Sequence, residues 1–489
     1  MSEIVFASSD SRESRRISQR VKAGELRSLL ARVYTANLKD PPEQIVRRNL
    51  ALILGQLYPD ALISHRSALE GGSLAGSDVY LTYLYTKKVA WPGVTVHLLA
   101  GPKPLESDRP HLGKLRLSSR ARALLENMQP SRGAKGKCLP RAEVEAIMEK
   151  ICRLHGDAEL NRLRDEARTI SKTLNMPAEF TSLNQLFSAI LGTGDAKSLD
   201  TAVSRARAAN TPYDPDRIEL FTKLAGALNA EIVPRVLEPA LSTDAWRNRA
   251  FFEAYFSNYI EGTEFEVDEA RDIVFQHKVP ESRPKDAHDI VGTFELIADR
   301  REAGHIAESY DEFIALLQRR HAVLMSARPE EGPGRFKEKA NRAGSTHFVA
   351  PELVRGTLQQ GFDLSRSLSD GFARALYFMF LIAEVHPFRD GNGRVARIFL
   401  NAELTHAGLS RIIVPTVLRD DYILALKGLT NNALTDAFIR LMSKAQAFTA
   451  SIDYADFDAC VRELERRNAF KESEEARLIT APAPARAAS

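Results

Sequence analysis

Twelve consecutive residues, His386-Pro387-Phe388-Arg389-Asp390-Gly391-Asn392-Gly393-Arg394-Val395-Ala396-Arg397, bring together an imidazole, a carboxylate, a glycine-flanked turn and two well-spaced arginines. Few chemistries need all of these at once, and binding a nucleoside triphosphate for group transfer is one that does. His386 suits the base that takes a proton from an incoming hydroxyl at neutral pH. Asp390, at the mouth of the turn, supplies the carboxylate that a Mg²⁺ bridging phosphate oxygens needs. Gly391, Asn392 and Gly393 offer backbone N–H groups to an anion. Arg394 and Arg397, three apart on one helical face, carry guanidinium forks that match phosphate oxygens. Phe388 reads as a packing anchor that points the turn. Singly, each residue has an ordinary explanation: a His-Pro turn, a glycine bend, a surface ion pair. At about 5% per residue type, eight specified positions coincide by chance on the order of once in 10^10.

The elements that must hold this run are also legible. Residues 371–384 are apolar almost all round, as befits a helix in the middle of a bundle. Pro387 disfavours helical geometry in the residue before it, so that helix ends at about Val385. A second helix begins near Asn392–Arg394 and runs through Leu404, its positive dipole end facing the turn.

The run resembles the signature of the Fic (filamentation induced by cAMP) family, His-x-Phe-x-[Asp/Glu]-Gly-Asn-Gly-Arg-x-x-Arg, at every specified position. The resemblance implies an all-helical catalytic core with a short β-hairpin flap, transferring AMP from ATP to a Tyr, Ser or Thr hydroxyl of a protein, the chain itself included. Carried over, it makes His386 the base and Asp390 the Mg²⁺ ligand. Gly391, Asn392 and Gly393 form the anion nest, Arg394 contacts the β-phosphate region and Arg397 the γ-phosphate. Gly393, where other members carry lysine, favours nucleotidyl transfer over phosphorylation.

Upstream, a segment with Ser242 or Thr243 as N-cap and Phe251, Phe252, Tyr255 and Tyr259 within it reads as a helix of about four turns, stopped by Gly262. Ser257 and Glu261 share one face of it. Ser257-x-x-x-Glu261-Gly262 resembles the family's inhibitory motif, which implies that Glu261 pairs with Arg397 and takes it from the γ-phosphate. Between the two motifs, residues 334–351 alternate small, polar and aromatic side chains as a hairpin would. They resemble the family's flap, with Gly344, Thr346 and His347 as candidate nucleotide contacts and its edge as the strand that holds a target segment. Residues 316–325 resemble a core helix in which His321 is structural. Residues 419–426 resemble the family's Arg-x-x-Tyr-Tyr-x-x-Leu segment, with Tyr422 kept and Ile423 in place of the second tyrosine. Asn431 is the candidate adenine contact, with Asn432 as the alternative.

The remainder sets bounds. A chain of 489 residues, 44% apolar and 27% charged, has room for two or three domains of an ordinary soluble kind. Cys138, Cys152 and Cys460 have no metal-ligand spacing, which fits a reducing, cytoplasmic setting. No basic, apolar leader opens the sequence and no run reaches the eighteen or so apolar residues of a membrane span. Residues 1–190 mix helix and strand patterns, and the segments at 24–27 and 64–68 resemble AbiEi-type antitoxin regulators. That likeness implies an α/β region with a partial winged helix, in which Arg15, Arg16, Arg20, Lys22 and Arg27 contact DNA phosphates. The expected division is a regulatory region 1–190, a helical linker 191–243, inhibitory and connecting helices 244–307, a catalytic core 308–450, and a C-terminal helix 451–489 whose tail is disordered from about Lys471. A homo-oligomer is admitted by these residues but not specified by them.

Overall fold

The computed structural model describes residues 3–74, 76–130, 136–231, 235–344 and 346–480. The chain divides into two compact units, 1–210 and 211–489.

The first unit is α/β. A three-stranded antiparallel sheet orders its strands Ile4–Phe6, Val33–Thr35, Arg27–Leu30. The basic helix Ser11–Lys22 precedes the hairpin, as the sequence suggests. A six-stranded mixed sheet is centred on Asp78–Tyr83, which runs parallel to Val94–Ala100 with Val79 opposite Val96 and Leu81 opposite Leu98. These β-branched and leucine side chains are wholly buried against Ile45, Ile53 and Leu54. A separate helical core gathers Leu124, Met148, Leu163, Leu183 and Phe187. The unit extends twenty residues past the expected boundary at 190. The cause is Glu145, wholly buried, whose carboxylate accepts from Asp200 N–H at 2.8 Å and from Thr201 N–H and hydroxyl at 2.8 and 2.7 Å.

Two of the five proposed phosphate ligands are occupied within this unit. Arg20 pairs with Glu25 at 3.2 Å, and Arg27 donates to the Asp40 carbonyl at 2.6 Å. Arg15, Arg16 and Lys22 remain exposed.

Among its described residues the second unit is helical apart from the hairpin Arg342–Ala343 and Thr346–His347 and one isolated bridge between Leu237 and Leu409. At its centre lies the helix Gly371–Val385, buried except at Gly371, Arg374 and Ala383. Its all-round apolar sequence leaves no face for solvent, so it sits inside the bundle. It packs most extensively on Asn392–His406, the helix that carries the motif arginines. Phe313, Phe362, Phe378 and Phe399 form one aromatic cluster there, with Phe313 5.4–5.6 Å from the other three rings. The helix Thr243–Ile260 is capped by the Ser242 side chain on Ala245 N–H and is 18 residues, or five turns, long.

The C-terminal stretch corrects an expectation. Residues 471–480, read as disordered, pack on the unit: Leu478 is buried and Tyr259 donates its hydroxyl to Glu472. The apolar anchors Phe457, Cys460 and Leu464 of the preceding helix bring the chain back to the core. The Ala-Pro-rich ending, 481–489, lies outside the described residues.

Candidate active site

The motif turn is clipped from within. After the central helix, His386 takes a left-handed conformation with φ 51° and donates its N–H to Ile382 O at 3.0 Å, closing the helix as a C′ residue does. Asn392 then spans the turn, accepting from Phe388 N–H at 2.8 Å and donating to Phe388 O at 2.9 Å. Its side chain is therefore spent on the backbone, and it can offer an anion only its own N–H. Phe388 is wholly buried and stacks on His321, ring centroids 3.6 Å apart. His321 Nδ1 accepts from Gly334 N–H at 2.9 Å, so its Nε2–H donates to Asp390 O at 2.9 Å. With both ring nitrogens engaged and burial pushing its pKa down to about 4, His321 is a structural strut.

His386 has one nitrogen to spare. Nδ1 lies 3.2 Å from Ala383 O, which fixes the proton there and leaves the Nε2 lone pair free. The ring stacks on Phe348 of the hairpin segment at 3.7 Å, nearly parallel. Burial lowers its pKa to about 4, and the nearby Lys337 charge adds to the shift against the pull of the Ala383 carbonyl. At neutral pH it is an unprotonated acceptor. Lys337 is itself lowered to about 7 by burial and donates to Asn341 Oδ1 at 2.7 Å. Neither Lys337 nor Phe348 was found by sequence reasoning, because their approach depends on the fold of the hairpin.

The two arginines stand one turn apart and differ in partner. Arg397 Nη2 donates to Glu261 Oε1 at 2.6 Å and to Ser257 O at 2.8 Å, while Nε donates to Ser257 Oγ at 2.9 Å. Burial opposes the charge on Arg397, but the Glu261 carboxylate and the Tyr422 hydroxyl together outweigh it and its pKa is raised. Gly262, at φ 88°, ends the helix beside Glu261. The Glu261 carboxylate also presses on the start of the motif helix: a Cβ at Gly393 would lie 2.1 Å from Glu261 Oε1. A side chain there would displace the Glu261 carboxylate. Gly391, at φ 75°, turns the chain into the start of the motif helix, and the same carboxylate lies beside that start at Gly393.

Arg394 is held instead by Asp289, 2.8 Å from Nη1, in a buried pair that Arg328 shares at 2.9 Å. Asp390, half-exposed, is 3.4 Å from Arg394 Nη2. Asp289 escaped the sequence reading, though an acid among Ile290, Phe294 and Ile297 on one helix is a detectable anomaly.

A cavity of about 220 Å³ joins these groups, lined by Glu261, His386, Gly393, Arg397, Tyr422 and Thr346 among others. Tyr422 lies beneath Arg397, its hydroxyl 3.5 Å from Nη1. Of the expected contacts, Asp390, Gly391, Asn392 and Arg394 do not line this cavity, and three more are not brought in. Gly344 takes φ 59°, with open space where a Cβ would lie. The His347 side chain is exposed, and its carbonyl accepts from Arg217 at 2.7 Å. Asn431 and Asn432 are exposed, and Asn431 faces a different cavity; Thr430, one residue earlier, lines this one.

Residues 313–404 match the family model described as the Fic/DOC family. The protein adenylyltransferase fic-1 of Caenorhabditis elegans is 27% identical over 204 residues, 40% of each chain. A probable protein adenylyltransferase of Aquifex aeolicus is 31% identical over 125 residues, 26% of this chain and 36% of that one. A solved structure of Fic-1 from C. elegans aligns with 66% of this chain and 94% of its own at 21% identity, with a TM-score of 0.35. The chain spans about two-fifths or less of the length of these curated relatives. Over residues 313–404, then, this chain carries a Fic/DOC domain.

Proposed function

We propose that the second unit transfers the adenylyl group of ATP to a hydroxyl of a protein and holds itself in check through Glu261. One observation carries the reading. The Glu261 carboxylate occupies the place where a triphosphate oxygen would meet both Arg397 and the N-terminus of the motif helix, in the cavity that His386 lines. A carboxylate there is a stand-in for phosphate, taking the Arg397 guanidinium that a phosphate oxygen would take.

With Glu261 withdrawn, the γ-phosphate takes Arg397 and the loop amides cradle the neighbouring phosphates. His386 Nε2 accepts the proton of an acceptor hydroxyl as its oxygen attacks the α-phosphorus. The bond from α-phosphorus to the bridging oxygen breaks and pyrophosphate leaves. Charge building on the leaving oxygens is met by preorganised N–H donors, the larger part of catalysis in such sites. Among the described residues no three His, Cys, Asp or Glu side chains gather around one point. Asp390 alone, with phosphate and water oxygens, fits the sparse protein ligation usual for Mg²⁺. When bound there, Mg²⁺ supplies charge neutralisation for the leaving pyrophosphate. Arg394, tied to Asp289, sets the electrostatics beneath Asp390 and reaches the β-phosphate region from there.

The test is labelling from ATP carrying radioactive α-phosphorus. Glu261→Gly is expected to raise self-labelling by at least about tenfold, in keeping with the cost of holding a buried ion pair. His386→Ala in that background should abolish labelling yet leave ATP binding intact. Unchanged labelling by Glu261→Gly would discard the inhibitory role. Loss of AMP from a premodified protein would assign the reverse, hydrolytic direction. The curated relatives are named adenylyltransferases, which supports the forward one.

A DNA-binding regulatory role for the first unit, of the kind an AbiEi-like region implies, is supported by the exposed Arg15, Arg16 and Lys22 on the basic helix beside a β-hairpin. A salt-dependent shift of the chain's own promoter DNA tests it. A cytoplasmic setting is supported by three buried, unbridged cysteines. Among the described residues no helix is long and apolar enough to cross a membrane.

A further inference from the structure

The cavity beside His386 has a second polar end that the transfer chemistry leaves unused. Tyr422 and Thr430 lie eight residues apart on the helix Arg419–Asn432, which separates them by about 12 Å along its axis. Tyr422 marks the anion end under Arg397. At the other end Thr430 donates its hydroxyl to Glu384 Oε2 at 2.6 Å. Arg217 Nη1 lies 2.6 Å from Glu384 Oε1, and Arg217 Nη2 fastens the hairpin through the His347 carbonyl. Glu384 is thus held by side chains from two other helices.

Its side chain is 3% exposed and lines the cavity. Oε1 is close to Arg217 but completes no hydrogen bond, so a buried acceptor retains unused capacity. Such groups are rare because leaving one unmade is costly. Burial raises the Glu384 pKa, while the Arg217 charge and the Thr430 hydroxyl pull it back toward the ionised form. Phe380, Ile423 and Leu426 supply apolar lining to the same cavity, suited to a flat heterocycle.

An ionised carboxylate accepts hydrogen bonds and cannot donate them. It therefore pairs with an amino edge and repels a carbonyl oxygen. We infer that Glu384 reads the base of the bound triphosphate, selecting a purine with a 6-amino group over one with a 6-carbonyl, with Thr430 and Arg217 as its positioning residues. The assignment rests on the transfer reading and names the base that reading requires.

Inosine triphosphate differs from ATP only at this edge of the base, where a carbonyl replaces the amino group at position 6 and N1 carries a proton, so the two nucleotides, labelled at the α-phosphorus, test how that edge is read. The Glu261→Gly chain should use ATP at least about tenfold better in kcat/KM. In Glu261→Gly/Glu384→Gln, whose amide donates as well as accepts, the ratio should fall to within about threefold of one while ATP labelling persists. Glu261→Gly/Thr430→Val, nearly isosteric and clear of the Arg217 pair, should move the ratio the same way and covers the case where Glu384→Gln does not fold. Inosine triphosphate used as readily as ATP by Glu261→Gly, or a ratio that neither further substitution moves, overturns the assignment. Absence of labelling from either nucleotide would overturn the transfer reading, and this inference with it.

Discussion

Arg394 and Arg397 project from one face of one helix, yet their counter-charges differ in burial. Arg397 is held by Glu261, 30% exposed at a helix end, where the dipole disfavours a negative charge. Arg394 is held by Asp289, 2% exposed and shared with Arg328. Replacing Asp289 by Asn should cost about 3–5 kcal/mol, since two guanidinium groups lose their buried counter-charge. Glu261→Gly should cost far less; denaturant midpoints of the two variants compare them directly. The pH dependence follows from His386. Its folded pKa of about 4 lies below the ordinary histidine value, so falling pH protonates it late. The acid limb of kcat/KM for self-labelling by Glu261→Gly should therefore fall well below pH 6.5, since that profile reports the free enzyme. Glu261 raises this pKa slightly, so its removal shifts the limb further down. A limb at or above pH 6.5 would mean that another group titrates.

At the scale of elements, the motif turn depends on the Asn392 clip more than on its glycines. Asn392→Ala leaves the Phe388 N–H unpaired in a buried turn, at about 1–3 kcal/mol, while the Phe388 carbonyl keeps its second donor, Asn341 Nδ2 at 2.9 Å. Lower stability in a thermal melt, together with lost labelling in the Glu261→Gly background, is the expected pair of outcomes. The turn was legible in the sequence because its ligands, stop signal and helix start are contiguous. The Ser257–Glu261 motif was legible because two residues at i, i+4 share a face whatever the fold. Glu384, Lys337 and Asp289 were not, since each meets the site through contacts far away along the chain. Asn431 illustrates the remaining difficulty: one residue of slip on a helix turns a side chain by about 100°. Thr430 faces the cavity and Asn431 faces away.

For the whole molecule, the expected boundaries at 190 and 243 followed local helix and strand patterns, whereas the chain divides into compact units at 210. The second unit's core runs from Leu220 to Leu478 and draws on that unit alone. Every side chain assigned above to the transfer site, from Arg217 to Thr430, lies within it. A chain starting at residue 211 and carrying Glu261→Gly should therefore fold and label itself from ATP at a rate comparable to the full chain. One starting at 244 loses the helix Pro215–Ala230 and with it Phe221, wholly buried against Tyr377 and Phe380 of the central helix. Truncating one buried Phe to Ala costs about 3–5 kcal/mol. Losing Phe221 with Leu220, Leu224 and Leu228 exceeds that several-fold, against a total stability of about 5–15 kcal/mol for a domain. The shorter chain should then show no cooperative melt by circular dichroism and no labelling. Equal melts for the two chains would mean that this helix is an attachment to the catalytic bundle, and the division at 210 would lose its energetic basis.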